Sequence, residues 1–174
     1  VTQATPGLLA GDGPVGLLVI SHVLNELTPA AREALLSLVA RAEAVVWVES
    51  ATSTVSRALG AIREQLAPVL HVVAPCTHAS ACPVLAPGRE RDWCHFFAPP
   101  PAGIFADSGW VKFGQRAGID LRSLPYSFLA LDRRAPTEDR AGLSRVIGRV
   151  EHLKPLARWL NCDAAGLAEL ELPK

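Results

Sequence analysis

Residues 15–20 read VGLLVI, an apolar run that passes directly into Ser21-His22-Val23-Leu24-Asn25-Glu26-Leu27. An apolar run without alternation is the pattern of a parallel strand buried on both faces. Thr28-Pro29 then offers a helix cap with proline at the first helical position. The helix predicted from there to about Ala42 places Leu35, Leu38, Val39 and Ala42 on one face. Residues 44–48 (AVVWV) repeat the strand pattern and end at Glu49-Ser50. Thr52 or Ser53 caps a second helix, in which Val55, Leu59, Ile62 and Leu66 recur at helical spacing until Pro68. Residues 69–74 (VLHVVA) form a third apolar segment. Strand, helix, strand, helix and strand with short connections predict an α/β layer with a parallel sheet. Ligands of such sheets lie beyond the C-terminal strand ends, where Ser21, His22, Asn25, Glu26, Glu49 and Ser50 fall. The same residue types also cap helices and satisfy loop backbone, so a ligand role and a local role both stand for each.

Before the first strand, residues 1–14 are rich in glycine and proline and read as an opening loop. Gly11-Asp12-Gly13-Pro14-Val15-Gly16 has the letters of a dinucleotide-binding glycine motif, but not its setting. That motif must follow a strand and open a helix, and here it precedes a strand.

After the third strand comes PCTHASACPVLAPGRERDWCHFF, residues 75–97, which holds three of the four cysteines, Cys76, Cys82 and Cys94. Pro75, Pro83, Pro87 and Gly88 exclude a helix or a central strand, so the backbone is a long irregular loop. Such a loop buries little apolar surface, and another interaction must offset its ordering entropy. A metal bound by thiolates would do so, because its binding free energy becomes folding free energy. Thiolate sets suit zinc or iron–sulfur. The cysteine spacings fit neither a common zinc module nor a ferredoxin run, and His78 or His95 could replace a cysteine at zinc. Buried free thiols packed as small hydrophobes are the competing structural account.

Further on, Pro99-Pro100-Pro101 stops regular structure. A short helix is expected over residues 107–117 and a strand over 126–132 (YSFLALD). Residues 135–142 read as polar loop, and 143–150 and 155–162 read as extended. Asn161-Cys162-Asp163-Ala164-Ala165-Gly166 turns the chain into residues 167–172 (LAELEL), which alternate with period two. This predicts a C-terminal hairpin with Cys162 at its turn-side end, within reach of the cysteine loop.

At 174 residues and 49% hydrophobic content the chain is long enough for one well-buried core, and its formal net charge is zero. Lysines and arginines between Arg133 and Arg158 outnumber acids seven to three, a modest basic segment that serves equally as a solvated face or a phosphate-binding one. No apolar run reaches membrane-spanning length and no secretory leader is visible, so no membrane partner is expected. Four cysteines in a reducing compartment favour metal or redox chemistry over structural disulfides. The chain begins at Val1 and contains no methionine, as expected of a piece of a longer protein. No Gly-x-Ser-x-Gly elbow supports a hydrolase.

Several segments carry a family resemblance in consecutive order. Ser21-His22-Val23-Leu24-Asn25-Glu26-Leu27 is similar to an "S-x-V-L-x-E-L" signature. Val48-Glu49-Ser50-Ala51-Thr52 is similar to "V-E-x-G-T", with alanine in place of the glycine. Pro75-Cys76-Thr77-His78, Ala81-Cys82-Pro83 and Asp92-Trp93-Cys94-His95-Phe96 resemble a cysteine signature, of which the last is the most specific part. Tyr126-Ser127-Phe128-Leu129-Ala130-Leu131 resembles "F-S-Y-L-V-L" in altered order, and Cys162 stands where a last cysteine precedes an Asp/Gly turn. The chain thus resembles the C-terminal half of the methyltransferase-like proteins that associate with the small subunit of the mitochondrial ribosome, and their bacterial relatives.

That resemblance implies the C-terminal part of a class I, Rossmann-like, S-adenosylmethionine-dependent methyltransferase fold. Residues 1–74 would be its sheet, 75–98 the cysteine-rich metal loop, and 99–174 the last strand, the basic segment and the hairpin, all packed as one domain. It implies an iron–sulfur cluster, 4Fe-4S, on Cys76, Cys82, Cys94 and Cys162. It implies ribosomal RNA of the small subunit as partner, without DNA specificity, in the bacterial cytoplasm or the mitochondrial matrix. Arg133, Arg134, Arg145 and Arg149 would then meet phosphates. The glycine-rich loop and acidic residue that hold S-adenosylmethionine belong to the first two strands of such a fold, which are missing here. Ser21, His22 and Glu49 would supply only the far wall of the cofactor site, and the chain alone is expected to be inactive. A non-catalytic structural zinc module is the alternative.

Overall fold

A computed structural model describes Gly11 and residues 13–174. Most of the opening loop, with part of the glycine motif, therefore lies outside the described residues. The first strand is β1 (Val15–Ser21), followed by helix α1 (Pro29–Val39), strand β2 (Ala42–Ser50), helix α2 (Ser53–Leu66) and the short strand β3 (His71–Ala74). Thr28 caps α1 by accepting from Ala31 N at 3.2 Å, and Pro29 sits in the first turn. Thr52, rather than Ser53, caps α2. The first helix stops earlier than its periodicity suggested, because Ala42 already pairs with Val15 in the sheet.

Both helices cover one face of the sheet. Leu38 and Val39 from α1 and Val55, Leu59, Ile62 and Leu66 from α2 close over Leu18, Ile20, Val45, Trp47, Leu129 and Leu131. Side chains of this kind contribute about 1.5–3 kcal/mol each when fully buried. The opposite face is uncovered among the described residues. Leu17 and Val19 are 60% and 65% exposed, and Val46 beside them is exposed too. The expectation of burial on both faces is corrected here: an apolar run records what a strand tolerates, and only the helices present decide which side is covered.

The three predicted strands run in one direction, but one antiparallel strand is inserted among them. β1 and β2 pair in parallel, but the next strand in space is β5 (Leu124–Asp132), antiparallel to β2 from Ala44↔Asp132 to Ser50↔Tyr126. On the other edge of β5 lie β3 and the three-residue strand β4 (Phe96–Ala98), giving the order β1-β2-β5-β3 with β4 also on β5. β3 pairs with the end of β5 (His71↔Asp132) and β4 with its start (Phe96↔Tyr126), both antiparallel. They are two pieces of one interrupted strand, and residues 75–95 are the interruption. The cysteine loop therefore bulges out of a sheet edge and returns to it, over Ser127–Leu129 of β5.

Helix α3 (Ser108–Ala117) starts on Asp107, which accepts from Gly109 N at 2.8 Å. A second sheet of three antiparallel strands, β6 (Arg145–His152), β7 (Leu156–Asp163) and β8 (Gly166–Pro173), ends the chain. The hairpin forms with Asp163 opposite Gly166, and Asp163 accepts from Ala165 N at 2.8 Å. The register of β6 slips between Ile147 and Glu151, where Gly148 takes φ +75° and donates to His95 O at 2.8 Å. A Cβ at Gly148 would stand 3.3 Å from the His95 ring, so glycine lets the second sheet close against the cysteine loop. No described helix is long and apolar enough to cross a membrane.

Candidate metal centre

The loop is anchored by side chains of α2 that reach its carbonyls. Arg57 Nη1 donates to Val84 O, Arg89 O and Asp92 O at 2.7, 2.8 and 2.9 Å. Ser56 Oγ and Ser127 Oγ both donate to Cys94 O, at 2.5 and 2.9 Å. Glu64 Oε1 accepts from Cys82 N at 3.0 Å, and Arg63 Nη2 donates to His78 O at 3.2 Å. From the other side, Arg145 Nε donates to Pro75 O at 3.0 Å, Arg140 Nη1 to Val73 O at 2.8 Å, and Thr77 Oγ1 to Leu143 O at 2.9 Å. A loop with few internal ladder bonds is thus held by long side chains from α2 on one side and from β6 and the segment before it on the other.

These anchors bring the four cysteines together. Cys76, Cys82 and Cys94 line a cavity of about 40 Å³ with Arg63, Pro75, Ser127 and Phe128. Cys82 and Cys94 pack against the cluster of Val84, Ile147, Cys162 and Leu167, so β7 delivers Cys162 to the same place. All four are free thiols. Among the described residues, no three His, Cys, Asp or Glu side chains are gathered closely enough to hold a metal ion.

Burial pushes the Cys94 thiol far up, with Cys76, Cys82 and Cys162 adding to the effect. Burial, then the same neighbouring sulfurs Cys76 and Cys82, raise Cys162 to about 12. Burial also raises Cys76, against the opposing charge of Arg63. For Arg63, burial alone would lower its basicity, but Glu64 and the thiols outweigh it. His78 is pushed below its ordinary value by burial and then by Arg63. The four thiols are soft donors that border one small space, and a metal bound by them would invert their proton preference by displacing the protons.

A pH dependence follows for the metal-free protein. In the folded state Cys76, Cys94 and Cys162 sit above the ordinary thiol value of 9.0, so the folded state binds more protons than the unfolded one as pH rises past it. Their contribution is complete below pH 9 and is lost as pH climbs toward about 12. The urea midpoint of chelator-treated protein should therefore fall between neutral pH and pH 10.5.

The two candidate histidines separate. His78 Nε2 lies 4.0 Å from Cys162 Sγ, and its Nδ1 is buried without a partner. His95 stacks on Trp93 at 4.7 Å and meets Phe97 edge-on, with Nδ1 2.9 Å from Trp93 O.

Ser21, His22 and Glu49 come together at the end of β1. His22 has φ +54° and donates its N–H to Val48 O at 2.9 Å. Glu49, 0% exposed, accepts on Oε1 from Val23 N, Leu24 N and Trp47 Nε1 at 3.1, 3.1 and 2.8 Å. It is the buried latch of the turn that carries the exposed Ser21 and His22, and its Oε2 has no partner.

The four arginines divide between the sheets, and each has an intramolecular partner. Arg133 donates to Ala42 O at 3.1 Å and pairs with Glu43, and Arg134 pairs with Asp132 at 2.8 Å. Arg145 braces Pro75, while the Arg149 guanidinium lies 3.8 Å over the Phe97 ring. Sequence reasoning missed the α2 anchors Ser56, Arg57, Arg63 and Glu64. The available signal was Arg63, a charge four residues after Leu59 on an apolar helix face.

A mixed α/β sheet whose broken edge strand carries a cysteine loop, completed by a cysteine from a separate hairpin, defines an α/β protein built around a thiol-lined site. Residues 9–151 match the family described as mitochondrial small ribosomal subunit Rsm22, and the chain belongs to that family, which is associated with the small ribosomal subunit. No curated protein matches the chain.

Proposed function

We propose that the chain is the C-terminal part of a protein that works with small-subunit ribosomal RNA in ribosome assembly or translation, and that it holds an iron–sulfur cluster on Cys76, Cys82, Cys94 and Cys162. The observation that carries the reading is the convergence of these four thiols, from two sheets, in a chain of this family. Bound there, the cluster would supply a redox-sensitive cross-link between the sheets. The chain's own residues position it: α2 fixes Cys82 and Cys94 through Glu64 and Ser56, β5 adds Ser127 on Cys94, and β7 presents Cys162.

The antiparallel β5 lying between the mutually parallel β2 and β3 supports the class I methyltransferase reading, since the last strand of such a sheet is inserted in that way. On this reading the turn at Ser21 and His22, latched by Glu49, lies on the far wall of an S-adenosylmethionine site completed by the rest of the parent protein. Arg149, exposed over the Phe97 ring, is the best placed of the four arginines to meet phosphates. The bacterial cytoplasm or the mitochondrial matrix is the compartment this role requires.

The test is anaerobic isolation, with iron, acid-labile sulfide and zinc analysis and sedimentation with purified small ribosomal subunits. Iron and sulfide in equal amounts with co-sedimentation is the expected result. Zinc without colour would replace the cluster by a structural zinc site, and absence from the subunit fraction would remove the ribosomal role.

A further inference from the structure

Arg63 is 2% exposed, yet it lies on α2 among Leu59, Ile62 and Leu66. A buried guanidinium is tolerated only with charge compensation and hydrogen-bond partners. Its partners are the Glu64 carboxylate, through Nη1, and His78 O at 3.2 Å, through Nη2; Nε has none. The side chain lines the cavity shared by Cys76, Cys82 and Cys94. Glu64 in turn accepts from Cys82 N, so the ion pair touches the cysteine loop at His78 and Cys82 at once. Arg145, bonded to Pro75 O, is a second cation near Cys94 from the opposite side.

We infer that Arg63 is the counter-ion of the four-cysteine site, a positioning residue that stabilises the more negative charge state of whatever cluster those thiolates hold, with Glu64 acting in the opposite sense. The inference rests on the cluster reading above. One-electron reduction adds negative charge to the cluster, and a guanidinium alongside favours the reduced state. In a site shielded from water such an interaction is screened far less than at the surface. Net charge and hydrogen bonding around the sulfurs are among the levers that set cluster potentials. Nothing in catalysis by the parent protein is required for this effect.

The experiment compares wild type, R63Q, R63K and E64Q, each loaded anaerobically with ferrous iron and sulfide and checked for native circular dichroism. The readouts are iron content and the midpoint potential in a mediated titration with dithionite. R63Q is expected to shift to lower potential and E64Q to higher, with R63K close to wild type. Opposite signs separate charge from damage, because merely loosening the loop would move R63Q and E64Q the same way. Should R63Q fail to fold, E64Q against R63K carries the same comparison. Unchanged potentials, or shifts of one sign, in a wild-type background that loads normally would overturn the role of Arg63 and leave the cluster standing. Failure of the wild type itself to take iron, or uptake of zinc alone, would overturn the cluster and this inference with it.

Discussion

Cys94→Ser is expected to abolish cluster loading while leaving the metal-free fold intact. The carbonyl of Cys94 is held by Ser56 and Ser127, both buried, and neither bond involves the side chain that the substitution alters. Residue 94 therefore stays in place with a hydroxyl where a thiol was. A hydroxyl is a poor ligand for iron in a sulfur cluster, whose binding depends on soft thiolates. The metal-free variant should lose only the cost of burying a hydroxyl, about 1–3 kcal/mol. Visible thiolate-to-iron absorption and iron content should both vanish, and the thermal midpoint of the variant should no longer respond to anaerobic loading. If the cysteines were only small apolar side chains, wild type and variant would show the same absence of iron and differ in stability alone.

Glu49→Ala is expected to destabilise the chain severely, enough to unfold it if its stability lies at the low end of the ordinary range. One carboxylate oxygen satisfies the N–H groups of Val23 and Leu24 and the indole N–H of Trp47, all in or beside the core. Truncation orphans three donors at about 1–3 kcal/mol each, comparable with the whole stability of an ordinary domain, about 5–15 kcal/mol. Relaxation of the turn and entry of water at Val23 would recover part of that, so a net loss of about 3–5 kcal/mol is expected. Glu49→Gln keeps an acceptor in the same place and should fold, with a loss near 1 kcal/mol from weaker, uncharged acceptance. Circular dichroism and urea unfolding of the pair give the comparison. Collapse of Glu49→Ala with survival of Glu49→Gln would establish that the carboxylate's main task is holding the β1 turn. Equal stability of both variants would contradict the latch.

The sequence carried the local elements well where side chains alone determine them. The positions of Val55, Leu59, Ile62 and Leu66 define a helix face from spacing, and all four are buried. The hairpin at Asp163 and Gly166 was likewise visible in turn chemistry. Pairing partners were not visible. Nothing in YSFLALD says that it will run antiparallel between β2 and β3, because strand order depends on contacts distant in sequence. Phe96–Ala98 is too short, and too close to Pro99, to read as a strand, yet it closes the sheet edge around the loop. The cysteines stood out because proline and glycine keep their segment from forming a helix or a central strand. The loop's anchors did not, since Arg57 and Arg145 look like ordinary surface arginines until their carbonyl partners are known. For the same reason the basic segment reads as free charge in sequence, while Arg133 and Arg134 are paired in space.

The chain order of the cysteines has a consequence for synthesis. Three of them leave the ribosome together on the loop that interrupts one strand of the first sheet, whereas Cys162 follows only after β5 and β6 have been made. During that interval a nascent chain can offer three sulfurs at most, and an iron-bearing group delivered then would have an unprotected coordination position. On the cluster reading, insertion could be completed only after β7 has emerged. A chain stalled or cut before that strand would leave translation with its first sheet formed and its site permanently unfinished.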